Sequence, residues 1–85
     1  MLNLKNYREM EKMPKARVVS HLEALMKQRN LTVMDIVVNT RISDPTVRRW
    51  MKNRISRVDP TTAAKLAAFL ECSQEELYEV VLDKE

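Results

Sequence analysis

"NLTVMDIVVNTRISDPTVRRWMKN", residues 30–53, holds two short amphipathic segments with almost nothing between them. Thr32 stands three residues before Asp35, a variant of the capping box, and opens a helix carrying Val33, Ile36 and Val37. That helix is short and ends near Asn39–Arg41. Ser43 is the next cap. Asp44 and Pro45 fill the first turn of a second helix, where a missing N–H is harmless and a negative charge complements the helix dipole. This helix runs to about Asn53, with Val47, Trp50 and Met51 inward. Two short helices joined by a three- or four-residue turn have the length pattern of a helix-turn-helix.

The charge on this stretch is lopsided. Between positions 41 and 57, Arg41, Arg48, Arg49, Lys52, Arg54 and Arg57 face a single acid, Asp44. On a helix, Asp44, Pro45, Arg48 and Arg49 share one face, opposite Val47, Trp50 and Met51. In a helix-turn-helix the second helix lies in the DNA major groove and its N-terminal residues meet base edges. Those four residues are therefore the expected base-facing set, and the rigid fork of Arg suits guanine O6 and N7 or a phosphate. Asp44 reads first as a helix-start charge; accepting from cytosine N4 is its alternative. The run Lys52-Asn53-Arg54-Ile55-Ser56-Arg57 has no hydrophobic period and reads as a loop gripping the nucleic-acid backbone. So much like charge is tolerable when the neighbour is a polyphosphate.

The flanks extend the helical pattern. Val18, Leu22, Leu25 and Met26 recur at helical spacing, which predicts a first helix from about Lys15 to Arg29, stopped by Asn30. Asp59–Pro60 repeats the start chemistry for a fourth helix with Ala63, Leu66, Ala67, Phe69 and Leu70 apolar. Ser73 and Glu76 form a full capping box for a fifth, with Leu77, Val80 and Val81 inside. The expected fold is all-α: five helices in one domain over residues 15–83. Residues 1–14 read as an arm or a short frayed helix.

At 85 residues the chain holds one compact core, since a domain of this size buries only about 60–65% of its unfolded surface. The formal charge of +3 hides an acidic end, where Glu71, Glu75, Glu76, Glu79, Asp83 and Glu85 oppose Lys84. A basic centre and an acidic end suggest a polyanion on one face and solvent or protein on another. The single Cys72 rules out an internal disulfide, fits a reducing cytosol, and reads as a small buried hydrophobe. His21, with no second ligand at metal spacing, is structural or exposed. Trp50 reads as core rather than as a stacking platform, and Val33 as an exposed position or a partner contact. One His, one Cys and no glycine leave no nucleophile–base pair and no phosphate cradle. No catalytic residue, metal site, cofactor or small-molecule ligand is expected. No apolar run is long enough for a membrane span, no signal-peptide pattern is present, and the basic segment lacks the broad Leu/Phe face of a membrane-surface helix. A cytoplasmic protein, nucleoid-associated when bound, is the expectation.

From Leu22 to about Val81 the sequence resembles the DNA-binding domain of the Cro and lambda-repressor type. The resemblance rests on Leu22 and Leu25 before the opening stretch, the basic loop, "VDPTTAAKLAAFLEC" (58–72) and "SQEELYEV" (73–80). It implies five helices, with the second and third forming the helix-turn-helix. It also implies base-facing roles for Asp44, Pro45 and Arg49, and sugar-phosphate contacts for Thr32, Ser43, Thr46, Lys52, Asn53 and Arg54. Charge alone adds Arg41 and Arg57 to the backbone set. The chain departs from the family pattern at Val33, where Gln is common, at Met26, where Arg is common, and at Arg41, where a turn glycine is usual. A left-handed Arg41 costs roughly 1 kcal/mol over glycine, unless the turn differs.

The expected function is a sequence-specific double-stranded DNA-binding regulator. The alternative is a protein-interaction module of the same fold, antitoxin-like or anti-repressor, to which Val33 and the acidic fifth helix point. One recognition helix reads about half of a typical site, so a weak homodimer that tightens on DNA is expected. Its contacts would come from the fifth helix (Leu77, Tyr78, Val81, Leu82) and the N-terminal segment (Leu2, Leu4, Tyr7). Leu77 and Val81 serve the core in this reading, leaving Tyr78 and Leu82 spare.

Overall fold

The computed structural model describes residues 15–83. Along the chain it forms β1 (Lys15–Ser20), α1 (Leu22–Arg29), α2 (Val33–Thr40), α3 (Asp44–Met51), α4 (Pro60–Leu70), α5 (Gln74–Leu77) and β2 (Tyr78–Asp83). The expectations for residues 1–14, including Leu2, Leu4 and Tyr7, lie outside the described residues.

Among the described residues five helices are present, but the fold is not all-α. The first helix starts at Leu22 rather than Lys15, and the fifth is a single turn ending at Leu77. The residues outside them pair as a two-stranded antiparallel ribbon, with Val18 opposite Val80 and Ala16 opposite Leu82. The reason lies in composition: KARVVS and YEVVLD each carry adjacent valines, whose branched Cβ favours extended backbone over helix. Val18 and Leu22 do stand four apart, but the spacing crosses a strand-to-helix junction. Val80, expected inside, is 57% exposed.

The starts of α2 to α5 are as the sequence reads. Thr32 and Asp35 cap α2 reciprocally, with Asp35 N–H to Thr32 Oγ1 at 3.2 Å and Thr32 N–H to Asp35 Oδ2 at 2.8 Å. Ser43 and Asp59 accept from the third helical amide of α3 and α4. Ser73 and Glu76 complete a capping box on α5. Each such cap contributes about 1 kcal/mol. Asn30 closes α1 in the left-handed region at φ 56°.

Every helix feeds one core. Leu22, Ile36, Val47, Ala63, Leu66 and Leu77 are fully buried, and Trp50 of α3 is 3% exposed. Trp50 meets Tyr78, the first residue of β2, edge to face with centroids 5.8 Å apart. Such a pair contributes about 0.5–1.5 kcal/mol beyond its buried area. Val33 is half-buried against the core, so it is no exposed oddity. Cys72 is half-buried as well, and desolvation, with help from Glu76, pushes its thiol pKa up.

Candidate nucleic-acid interface

The geometry of α2 and α3 is set by the turn Arg41-Ile42-Ser43. Ile42 is 7% exposed and plugs into the core, a position the sequence reading passed over although it is the one apolar residue in the turn. Thr40 ties the turn to α2: its hydroxyl donates to Ile36 O at 2.7 Å and accepts from Ile42 N–H at 3.2 Å. Arg41 takes the left-handed conformation at φ 62°, its N–H bonding Val37 O at 2.9 Å. The turn therefore keeps the shape that glycine favours and carries the strain in a residue with a Cβ. Arg41→Gly should raise unfolding free energy by about 0.5–1 kcal/mol in urea titrations, the relieved strain outweighing glycine's extra entropy. DNA affinity should fall in the same variant, because an exposed cation is lost. A destabilised Arg41→Gly would show instead that the Arg41 side chain secures the turn.

On α3, Val47 and Trp50 point into the core while Pro45, Arg48 and Arg49 are exposed and Asp44 is half-exposed. At 100° per residue Pro45 sits near the crest of the outer face, with Arg48 and Arg49 on either shoulder. The two arginines are held differently. Arg48 Nε donates to Asp44 Oδ1 at 2.6 Å, one turn back. Arg49 Nη2 donates to Thr46 Oγ1 at 3.3 Å, and Thr46 Oγ1 also accepts from Ser43 Oγ at 2.8 Å. Asp44 thus serves both the helix start and Arg48, whose side chain remains exposed.

Arg49, Arg54 and Arg57 converge on a shallow cleft of about 370 Å³, lined also by Thr46, Asp59 and Thr62. Asp59 is the acid within it. Hydrogen bonds from the Thr62 hydroxyl (2.8 Å) and amide (3.2 Å) hold its carboxyl below the usual carboxylate range. Its charge is thereby directed at the start of α4 and taken up locally. Thr32 and Arg41 lie apart from this cleft, at the cap and C-terminus of α2, and Lys52 is the exposed C-cap of α3.

The basic loop is more regular than its sequence suggests. Asn53 is left-handed at φ 58°, its N–H bonds Trp50 O at 3.3 Å, and Arg54 N–H bonds Arg49 O at 2.8 Å. That pair of bonds is the Schellman closure of a helix. The Asn53 side chain, expected on the DNA backbone, accepts from Ser20 N–H through Oδ1 at 2.7 Å. No local signal in the sequence connects positions 20 and 53. Among the described residues no cluster of three or more His, Cys, Asp or Glu could hold a metal ion, and no helix is long and apolar enough to cross a membrane.

Known proteins place this arrangement. The family described as "Cro/C1-type HTH DNA-binding domain" matches residues 21–83, all five helices and β2. A crystal structure described as that of "a putative DNA-binding protein from Bacteroides fragilis" superposes with a TM-score of 0.63 at 18% identity, covering 73% of this chain and 98% of that one. At that identity the likeness speaks for the fold alone. No curated protein matches the chain. With the match spanning all five helices, the chain belongs to the Cro/C1-type helix-turn-helix DNA-binding domains.

Proposed function

We propose that this protein is a sequence-specific double-stranded DNA-binding transcriptional regulator that inserts α3 into the major groove. The observation that carries it is the two-sided α3: Val47 and Trp50 anchor the helix in the core, while Pro45, Arg48 and Arg49 stand outward beside the Arg54–Arg57 loop. An anchored helix holds its donors in a constant position, as base readout requires. Arg48 and Arg49 reach base edges, and Arg48 enters with its stem fixed by Asp44. Arg41, Lys52, Arg54 and Arg57, with the capped helix starts at Thr32 and Ser43, meet phosphates. The working unit on DNA is a two-fold dimer.

Selection from random duplexes, followed by sequencing, tests the reading directly; recovery of no preferred site would remove sequence specificity. Two substitutions then separate the roles. Arg49→Ala should relax preference at one base position, by about 1–3 kcal/mol for a bidentate guanine contact. Arg54→Ala should weaken all duplexes alike and flatten the salt slope by about one unit. Uniform loss in both would make Arg49 a phosphate clamp.

A second reading, a protein-interaction module of the same fold, is favoured by one observation. Met34 and Val38, four apart on α2, are 64% and 66% exposed. Lysine at both positions should leave duplex selection unchanged if DNA is the partner that matters.

A further inference from the structure

Asn53 lies where the helical body meets the ribbon. Its left-handed backbone closes α3, and its Oδ1 accepts from Ser20 N–H at 2.7 Å, across 33 residues of chain. Ser20 is itself a junction: its Oγ accepts from Leu22 N–H at 3.2 Å at the start of α1, and the next amide, His21 N–H, bonds Leu77 O at 2.8 Å at the end of α5. Three residues before Asn53, Trp50 packs on Tyr78 of β2. The C-terminal half of α3 is thus registered against both strands, through Asn53 on β1 and Trp50 on β2.

We infer that Asn53 is a positioning residue for base readout, its side-chain carbonyl fixing α3 against the ribbon so that Pro45, Arg48 and Arg49 meet the bases in one register. This role rests on the proposed DNA reading. Recognition side chains must be held to within about 0.5 Å of their working geometry by their supporting contacts. Val47 and Trp50 anchor α3 by packing, which is not directional; the bond from Asn53 adds a directional tie at the C-terminal end of the helix. Arg54 follows directly, its N–H bonded to Arg49 O by the backbone closure at Asn53.

The competing role for Asn53 is a direct one, its amide Nδ2 donating to a phosphate. Two variants separate the roles. N53G keeps the left-handed backbone and loses both acceptor and donor. N53D also tolerates that backbone and keeps an acceptor for Ser20 N–H, but has no donor for phosphate. Each full-length variant is titrated against a selected duplex and a scrambled one. The ratio of the two affinities is compared with wild type, and hydrogen exchange of the Ser20 amide is followed in free protein. For N53G the ratio should fall about three- to tenfold, the worth of one hydrogen bond, and Ser20 should exchange faster. For N53D the ratio and the Ser20 protection should persist, although both affinities fall because a negative charge now faces DNA. Equal loss of the ratio in both variants, or an unchanged ratio in N53G, overturns the role. If N53G does not fold, N53D decides alone: a kept ratio supports the role and a lost one overturns it. A wild-type protein that prefers no duplex overturns the proposed function and this role together, whereas a wild-type preference that N53G retains overturns this role only.

Discussion

Raising salt from about 50 to 200 mM should lower DNA affinity by about two to three orders of magnitude, because each neutralised phosphate contributes about −0.9 to the slope of log K against log salt. The estimate follows from which cations are available. Arg41, Lys52, Arg54 and Arg57 are exposed and have no acid within ion-pair distance among the described residues. With amides at the helix starts they supply about four to five phosphate contacts, hence a slope near −4. Arg48 is left out of that sum, since Asp44 already sits 2.6 Å from its Nε. Asp44→Asn should accordingly steepen the slope slightly. Fluorescence anisotropy over a salt series measures it, and a slope near zero would end the DNA reading, because a groove-binding domain with this charge pattern cannot avoid releasing counterions.

What could be read in the sequence, and what could not, divides along the range of the interactions involved. Thr32/Asp35, Ser43, Asp59 and Ser73/Glu76 were legible because a cap is a contact between residues three apart. The inward placement of Val47 and Trp50, and the outward placement of Pro45, Arg48 and Arg49, follow from helical period alone. Arg41 could be flagged as the residue standing at a glycine position, and the turn does place it left-handed. The ribbon was not legible, because β1 and β2 come from opposite ends of the domain and neither is a convincing strand without the other. Val18, Val80 and Val81 fell instead into helical periods that continued those of their neighbours. For the same reason the bond from Ser20 N–H to the Asn53 carbonyl has no local signal, because the two residues are distant in sequence. Charge and period identify the surface proposed to face DNA; the contacts that fix its angle in the fold are nonlocal.

Sedimentation should find a monomer at low micromolar concentration and a two-to-one complex on an inverted repeat, with recognition helices about 34–36 Å apart. The ribbon changes where that contact is expected. Tyr78, spare in a helical reading, is half-buried and committed to Trp50. The spare apolar pair is instead Val80 and Leu82, 57% and 60% exposed, which the register places on one ribbon face with exposed Ala16 and with Val18, itself already buried at 8% exposure. A two-stranded ribbon is marginal by itself, and among the described residues it pairs with no third strand. A second copy meeting this face would cover it. A few short side chains from each copy fall well below the roughly 800 Å² per partner of a stable interface, so the free protein is expected to stay monomeric. On DNA the two copies are held side by side, and the same small contact then acts at high effective concentration. Val80→Lys with Leu82→Lys should therefore lower affinity for the inverted repeat by about 100-fold, the low end of what linked binding contributes, and leave half-site affinity unchanged. Tyr78→Lys is the wrong probe, since it would also unseat Trp50 and the recognition helix above it. One-to-one binding to a non-palindromic site, indifferent to Val80, Leu82 and removal of residues 1–14, would overturn the dimer and leave α3 to read its site as a single copy.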